Sequence, residues 1–225
     1  MSHELGAAFS SSDALGGEYV MKRSRVGFAL AATVLSVSAC AAQATDTRLD
    51  NVKLSSAEFR SIAAACAPEV PFTTLRAIAR AESAFRPYAL SLDYPERTAR
   101  SHGFNNGGIF LARQPKNLAE ARAWAHWLLR QGGTVSVGLM QVSSQHAAGL
   151  GLTIDQLFDP CTNVRAGAQI LRAKYQRAVA LRGEGQQALQ DAISEYNSGS
   201  SVLGFTNGYV SSVVNGEFYA RKLPK

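Results

Sequence analysis

The sequence predicts a mainly α-helical domain interrupted once by a small β element, and three patterns carry that reading. Residues that cap helices stand at Ser55, Asn117 and Asp159, each just ahead of a run with apolar residues every three or four positions. Between Pro87 and Gln114 that periodicity breaks, and Phe104-Asn105-Asn106-Gly107-Gly108-Ile109-Phe110 reads as a loop followed by a hairpin turn. A hydrophobic content of 46% in 225 residues supplies one core of ordinary size.

Taken in order, Ser55 and Glu58 make a capping-box pattern that opens a helix running to Cys66, with Pro68 and Pro71 beyond its end. The next helix places Leu75, Ile78, Ala79 and Glu82 on one face and Arg76 and Arg80 on the other. Asn117 and Glu120 form a second capping-box pattern before the stripe Ala121, Trp124 and Leu128, which stops ahead of Gly132-Gly133. A short helix is expected around Leu139 to His146. Asp159-Pro160, cap then first-turn proline, opens the strongest helix, with Val164, Ala168, Leu171, Tyr175 and Ala178 as its core stripe. Leu189, Ala192, Ile193 and Tyr196 share a face of a further helix, and a last one runs from about Gly208-Tyr209 to Asn215-Gly216.

Ahead of the domain, Lys22, Arg23 and Arg25 precede the apolar run Val26 to Val37, which has the charge and length of an export signal and is too short to span a membrane. Cleavage after Ala44 releases a soluble protein; the alternative is a lipobox at Val37-Ser38-Ala39-Cys40, which would anchor the chain by lipid on Cys40. Residues 1–20 fit neither a signal nor a packed element, so synthesis is expected to start at Met21. The expected organisation is therefore an N-terminal extension and signal over residues 1–44, a polar linker over 45–54, the domain over 55–215 and a tail over 216–225.

Export sets the redox compartment. With Cys40 removed or lipidated, Cys66 and Cys161 remain as the only pair and are expected to form a disulfide, the alternative being two buried thiols. Residues 1–44 carry equal positive and negative charge, so the net +6 belongs to the remainder, a mildly basic surface suited to an acidic polymer. No lysine-arginine cluster with interleaved aromatics points to nucleic acid. His102, His126 and His146 are isolated and no paired cysteine motif accompanies them, so no metal or other cofactor is expected.

Glu82 is the residue placed for chemistry. A carboxylate on an apolar face loses hydration, and the negative end of its own helix adds to the penalty on its charged form, so it is disposed to hold a proton. Such an acid can protonate the oxygen of a departing sugar.

Ala81-Glu82-Ser83-Ala84-Phe85, Gly138-Leu139-Met140-Gln141, Glu195-Tyr196-Asn197-Ser198-Gly199 and Tyr209-Val210 occur in the order found in lysozyme-like lytic transglycosylases, and the chain resembles that family over roughly 55–214. Ala112-Arg113-Gln114-Pro115, Phe158-Asp159-Pro160-Cys161 and Gly204-Phe205-Thr206-Asn207-Gly208-Tyr209 resemble more narrowly its members that serve type IV secretion and conjugal transfer. The resemblance implies a lysozyme-like (α+β) fold, with the small β insertion lying between the helix of Glu82 and the Gly-Leu-Met-Gln motif. It implies cleavage of the MurNAc-GlcNAc β-1,4 bond of peptidoglycan in the periplasm with a 1,6-anhydro product, and partners among type IV secretion components.

Residue by residue, it makes Glu82 the sole catalytic acid and base and has Ser83 position the substrate's acetamido group. Gly138, Met140 and Gln141 would line the cleft, with Met140 and Gln141 touching sugars. Tyr196 and Asn197 would support Glu82 and the glycan, and Tyr209 would close the site from the last helix. Glu195 stands where many members carry alanine, and the resemblance gives it no role. Hydrolysis is the competing enzymatic reading; it needs a second carboxyl group, for which Asp93 and Glu96 are the candidates downstream of Glu82. A glycan-binding assembly factor without activity is the non-enzymatic one.

Overall fold

Helix α1 (Ser56–Cys66) begins where the sequence places its cap: the Ser55 hydroxyl accepts from the Glu58 amide while the Glu58 carboxylate accepts from the Ser55 amide. The structure is a computed structural model that describes residues 53–93, 108–109, 111 and 113–216, all within one compact unit, Ala44–Lys225. The expected signal segment, Cys40, the turn at Phe104 to Gly107, Glu96, His102 and the tail beyond Gly216 lie outside the described residues. Leu54, assigned above to the linker, belongs to the core, and its amide bonds the Phe85 carbonyl.

Helix α2 (Phe72–Ser83) buries Leu75, Ile78 and Ala79 as the periodicity predicts. Arg80 departs from its expected solvent face: it is half-buried and donates to the Ser212 carbonyl on the last helix at 2.8 Å. The chain leaves α2 through Ala84 and Phe85, both in the left-handed region at φ 51° and 63°. For residues with a Cβ that conformation costs about 1–2 kcal/mol each.

Strands β1 (Leu90–Asp93), β2 (Gly108–Ile109), β3 (Thr134–Val137) and β4 (Val142–Ser143) form an antiparallel sheet in the order β2-β1-β3-β4. Pairing Leu90 with Val137 and Leu92 with Val135 turns four apolar side chains into the core. By the two-residue period, Ser91 and Ser136 face the other way. The Gln114 side-chain amide bonds both the N–H and the C=O of Leu90, standing in for a strand neighbour where β2 is too short to reach.

Helix α3 (Leu118–Arg130) starts at Asn117, whose side chain accepts from the Glu120 amide. The expected capping box is one-sided, because the Glu120 carboxylate instead binds Arg113 and the Lys116 amide. Those two donors hold the Glu120 carboxyl down at about 2, the Arg113 hydrogen bond first.

The helix expected around Leu139 to His146 is corrected: Gly138 to Gln141 form a turn between β3 and β4, and α4 runs over Ser144–Gly149. Gly138 at φ +80° and Gln141 at φ 46° cannot continue a right-handed helix. A 3-10 turn (Gln156–Phe158) then leads to α5 (Pro160–Arg182), capped by Asp159 with proline in its first turn. Helix α6 (Gln186–Ser198) packs along α5, and α7 (Leu203–Thr206) and α8 (Tyr209–Asn215) close the chain back onto α2. Cys66 and Cys161 form the expected disulfide, joining the last residue of α1 to the first turn of α5.

Candidate active site

A cleft of about 530 Å³ runs between the sheet and helices α5 and α6, and Glu82 lines it. One wall is the polar face of the sheet, Ser91, Thr134, Ser136 and Ser143, extended by Gln141. The opposite wall is the end of α6 and its cap, from Glu195 through Gly199, and Lys174 of α5 also lines the cleft. His146 of α4 borders the sheet side.

Of the residues singled out by sequence, Glu82, Gln141, Tyr196 and Asn197 come together on this cleft. Tyr209 stands behind Glu82, buried at 1% exposure, and its hydroxyl donates to Glu82 Oε1 at 2.5 Å. The Arg80 bond to Ser212 ties the same two helices one turn away, so α8 is fixed against α2 at both contacts. Asn207 adds a third constraint: its side-chain Oδ1 accepts from the Tyr209 backbone amide and its Nδ2 donates to Asn197 Oδ1.

Gln141 is held rather than free to turn. Its amide donates to the carbonyls of Ala89 and Gly138, and its oxygen accepts from Ser91. With Ala84 and Phe85 it makes up the non-glycine residues at positive φ among the described residues, so backbone strain there collects after Glu82 and in the Gly-Leu-Met-Gln turn.

Ser83 and Met140 sit elsewhere than expected. Ser83 is buried, and its hydroxyl bonds the carbonyls of Ala79 and Leu139 within the core. Met140 is fully buried, against Gly167, so its side chain faces core rather than sugar. What Met140 offers the site is its carbonyl, which accepts the Tyr196 hydroxyl at 2.7 Å. Burial first, then the charge of Glu82, pushes the Tyr196 hydroxyl well above its usual range, so it stays protonated as that donor.

Two residues that sequence reasoning passed over build the turn. Asn163, fully buried in α5, accepts from the Met140 amide at 2.7 Å and donates to the carbonyls of Val137 and Leu157. It lies so close that a Cβ at Gly138 would sit 2.2 Å from its amide nitrogen, which together with φ +80° requires glycine there. Gly167, about one turn along α5, leaves room for Met140, which a Cβ would meet at 2.6 Å. The signal for Asn163 was a polar residue beside Val164 at the start of an otherwise apolar stripe.

The transglycosylase SLT domain family matches residues 59–215, from within α1 to the end of α8. The chain belongs to that family. Its mainly helical build with one small antiparallel sheet agrees with the lysozyme-like fold class read from the sequence. The protein virB1 of Agrobacterium fabrum is 39% identical over 160 residues, covering 71% of this chain and 59% of that protein. The protein virB1 of Rhizobium radiobacter is 38% identical over 160 residues, 71% of this chain and 61% of its own length. The type IV secretion system protein virB1 of Brucella suis is 36% identical over 162 residues, 69% of this chain and 62% of that one. The chain thus matches about three-fifths of the length of these relatives. No solved structure gives a significant match.

Proposed function

We propose that this protein is a peptidoglycan lytic transglycosylase that cuts the MurNAc-GlcNAc β-1,4 bond with Glu82 as its only acid and base. The observation that carries the reading is a carboxylate lining a glycan-sized cleft and held there by a buried tyrosine hydroxyl, within a match to the SLT family. Glu82 first gives a proton to the leaving oxygen. Because Oε1 accepts from Tyr209, the proton of the neutral acid belongs on Oε2. The acetamido oxygen of the substrate stabilises the sugar cation, and Glu82 then takes the proton of the 6-hydroxyl as that oxygen attacks, closing a 1,6-anhydro ring. One group must both give and take, so it works best near the ambient pH.

Gln141, Tyr196 and Asn197 shape the groove beside Glu82, whereas Gly138, Ser83 and Met140 serve by fixing the turn beneath it. The type IV secretion system named for the Brucella relative supports a local, assembly-linked role: opening the cell wall where such a system is built. The cysteine pair and the positively charged, apolar N-terminal segment support work in the periplasm. Among the described residues no helix is long and apolar enough to cross a membrane.

Product analysis on purified peptidoglycan tests the reading. The parent protein is expected to release fragments with 1,6-anhydro ends, and Glu82→Gln to lose at least about a hundredfold in rate, as loss of a general acid does. Reducing ends would mean hydrolysis; equal rates from parent and variant would remove Glu82 from the chemistry.

A further inference from the structure

Lys174 stands on the inward stripe of α5, between Leu171 and Ala178, at 6% exposure, yet it lines the cleft. An ammonium withdrawn from water there is costly unless its hydrogens are taken up. Among the described residues its one hydrogen-bond partner is Glu195 Oε1 at 3.4 Å, well beyond the 2.7–2.9 Å typical of a charge-assisted bond. That oxygen already accepts from Arg177 at 2.5 Å. Burial pushes the Glu195 carboxyl up, but Arg177 and Lys174 together outweigh it and leave it below its usual range, so it is ionised. Among the described residues nothing donates to the second oxygen of Glu195, Oε2.

The cleft therefore contains a buried donor and an ionised acceptor, both under-used, side by side. Arg177 shares the Glu195 carboxylate, so the three side chains together carry one net positive charge, but the two that line the cleft are the donor Lys174 and the acceptor Glu195. The pair suits a ligand that offers an oxygen and an O–H or N–H close together, which is what a sugar ring with hydroxyl and acetamido groups presents. The brace between α5 and α6 is already supplied by the short Arg177–Glu195 ion pair, so the long Lys174 contact is not needed for it.

We propose that Lys174 and Glu195 form a sugar-binding subsite in the cleft: Nζ donates to a ring or acetamido oxygen, and Glu195 Oε2 accepts from the neighbouring hydroxyl or amide N–H. This rests on reading the cleft as a glycan groove. The two residues act in binding, so their effect falls on substrate affinity more than on turnover.

The test uses peptide-free glycan strands prepared from peptidoglycan, titrated calorimetrically into full-length Glu82→Gln protein, which removes cleavage from the measurement. Adding Lys174→Met or Glu195→Gln should weaken binding about tenfold or more, as expected for a hydrogen bond to a charged group. In the parent background the same changes should raise KM about as much while kcat moves far less. Affinity and KM unchanged in folded Lys174→Met and Glu195→Gln would overturn the proposal. If Lys174→Met fails to fold, Glu195→Gln, at the more exposed partner, decides alone. Strand binding without cleavage by the parent would refute the proposed reaction and leave the subsite standing, cleavage with binding indifferent to both residues would do the reverse, and strands that bind none of the proteins would overturn the subsite.

Discussion

Asn163 and Lys174 lie on the inward side of the same helix, about three turns apart, and both are polar residues buried more than nine-tenths. They differ in how they are satisfied. Asn163 makes three short bonds, at 2.7, 2.9 and 2.8 Å, to backbone groups of Met140, Val137 and Leu157, the first two at the turn leaving β3 and the third in the 3-10 turn. Lys174 makes one bond of 3.4 Å to an oxygen that Arg177 already holds. The first end of α5 is clamped, by Asn163 and by the disulfide at Cys161; the second opens onto the cleft. A buried polar group with every partner in place sets backbone geometry, and one left short of partners beside a cavity is available to a ligand.

If that contrast is right, the largest stability change comes from Asn163. Asn163→Leu keeps the volume but leaves one N–H and two C=O groups buried without their partner, at about 1–3 kcal/mol each. We expect about 4 kcal/mol of destabilisation by urea unfolding; a loss under about 1 kcal/mol would show that the Gly-Leu-Met-Gln turn does not depend on it. Next comes the disulfide, which closes a loop of 95 residues. Replacing both cysteines by alanine should cost about 3 kcal/mol, within the usual range for a native bridge. The same measurement checks it, and unchanged stability would mean that this end of α5 needs no clamp.

The helices were legible in the sequence because their signals are local. Ser55 with Glu58, Asp159 with Pro160, and Gly216 after Asn215 mark ends that the structure places within a residue. Strand β3 was passed over although Thr134-Val135-Ser136-Val137 alternates cleanly, since four residues give a weak period and Gly132-Gly133 read only as a stop. The helix expected around Leu139 to His146 took in most of the Gly138 to Gln141 turn, because what shapes that turn is Asn163, distant in sequence. Within the cleft, Glu82, Gln141, Tyr196 and Asn197 were visible as motif residues. Lys174 was not, and Glu195 and Asn207 stood in the motifs without a role, because their partners are set by how α5, α6 and α8 meet, which no spacing along one helix encodes.

The smallest effect sharpens the comparison from the other side. Lys174→Met removes a buried charge while Glu195 keeps Arg177, so stability should stay within about 1 kcal/mol of the parent or rise. The same variant reports on where the charge of Lys174 is felt. His146, across the cleft, is held below its ordinary value of 6.5, first by the partial burial of its ring and then by Lys174. A histidine with a lowered folded-state pKa stays neutral longer than in the unfolded chain, so its contribution to stability is complete above about 6.5 and is lost as pH falls through the folded value. Removing Lys174 takes away the second cause and leaves the first. The NMR titration of His146 should therefore move up toward 6.5 in Lys174→Met without reaching it, and the acid-side loss of stability should shrink. A midpoint that does not move would mean that the ammonium is screened from the cleft, and with it the contrast between the two ends of α5 would fail.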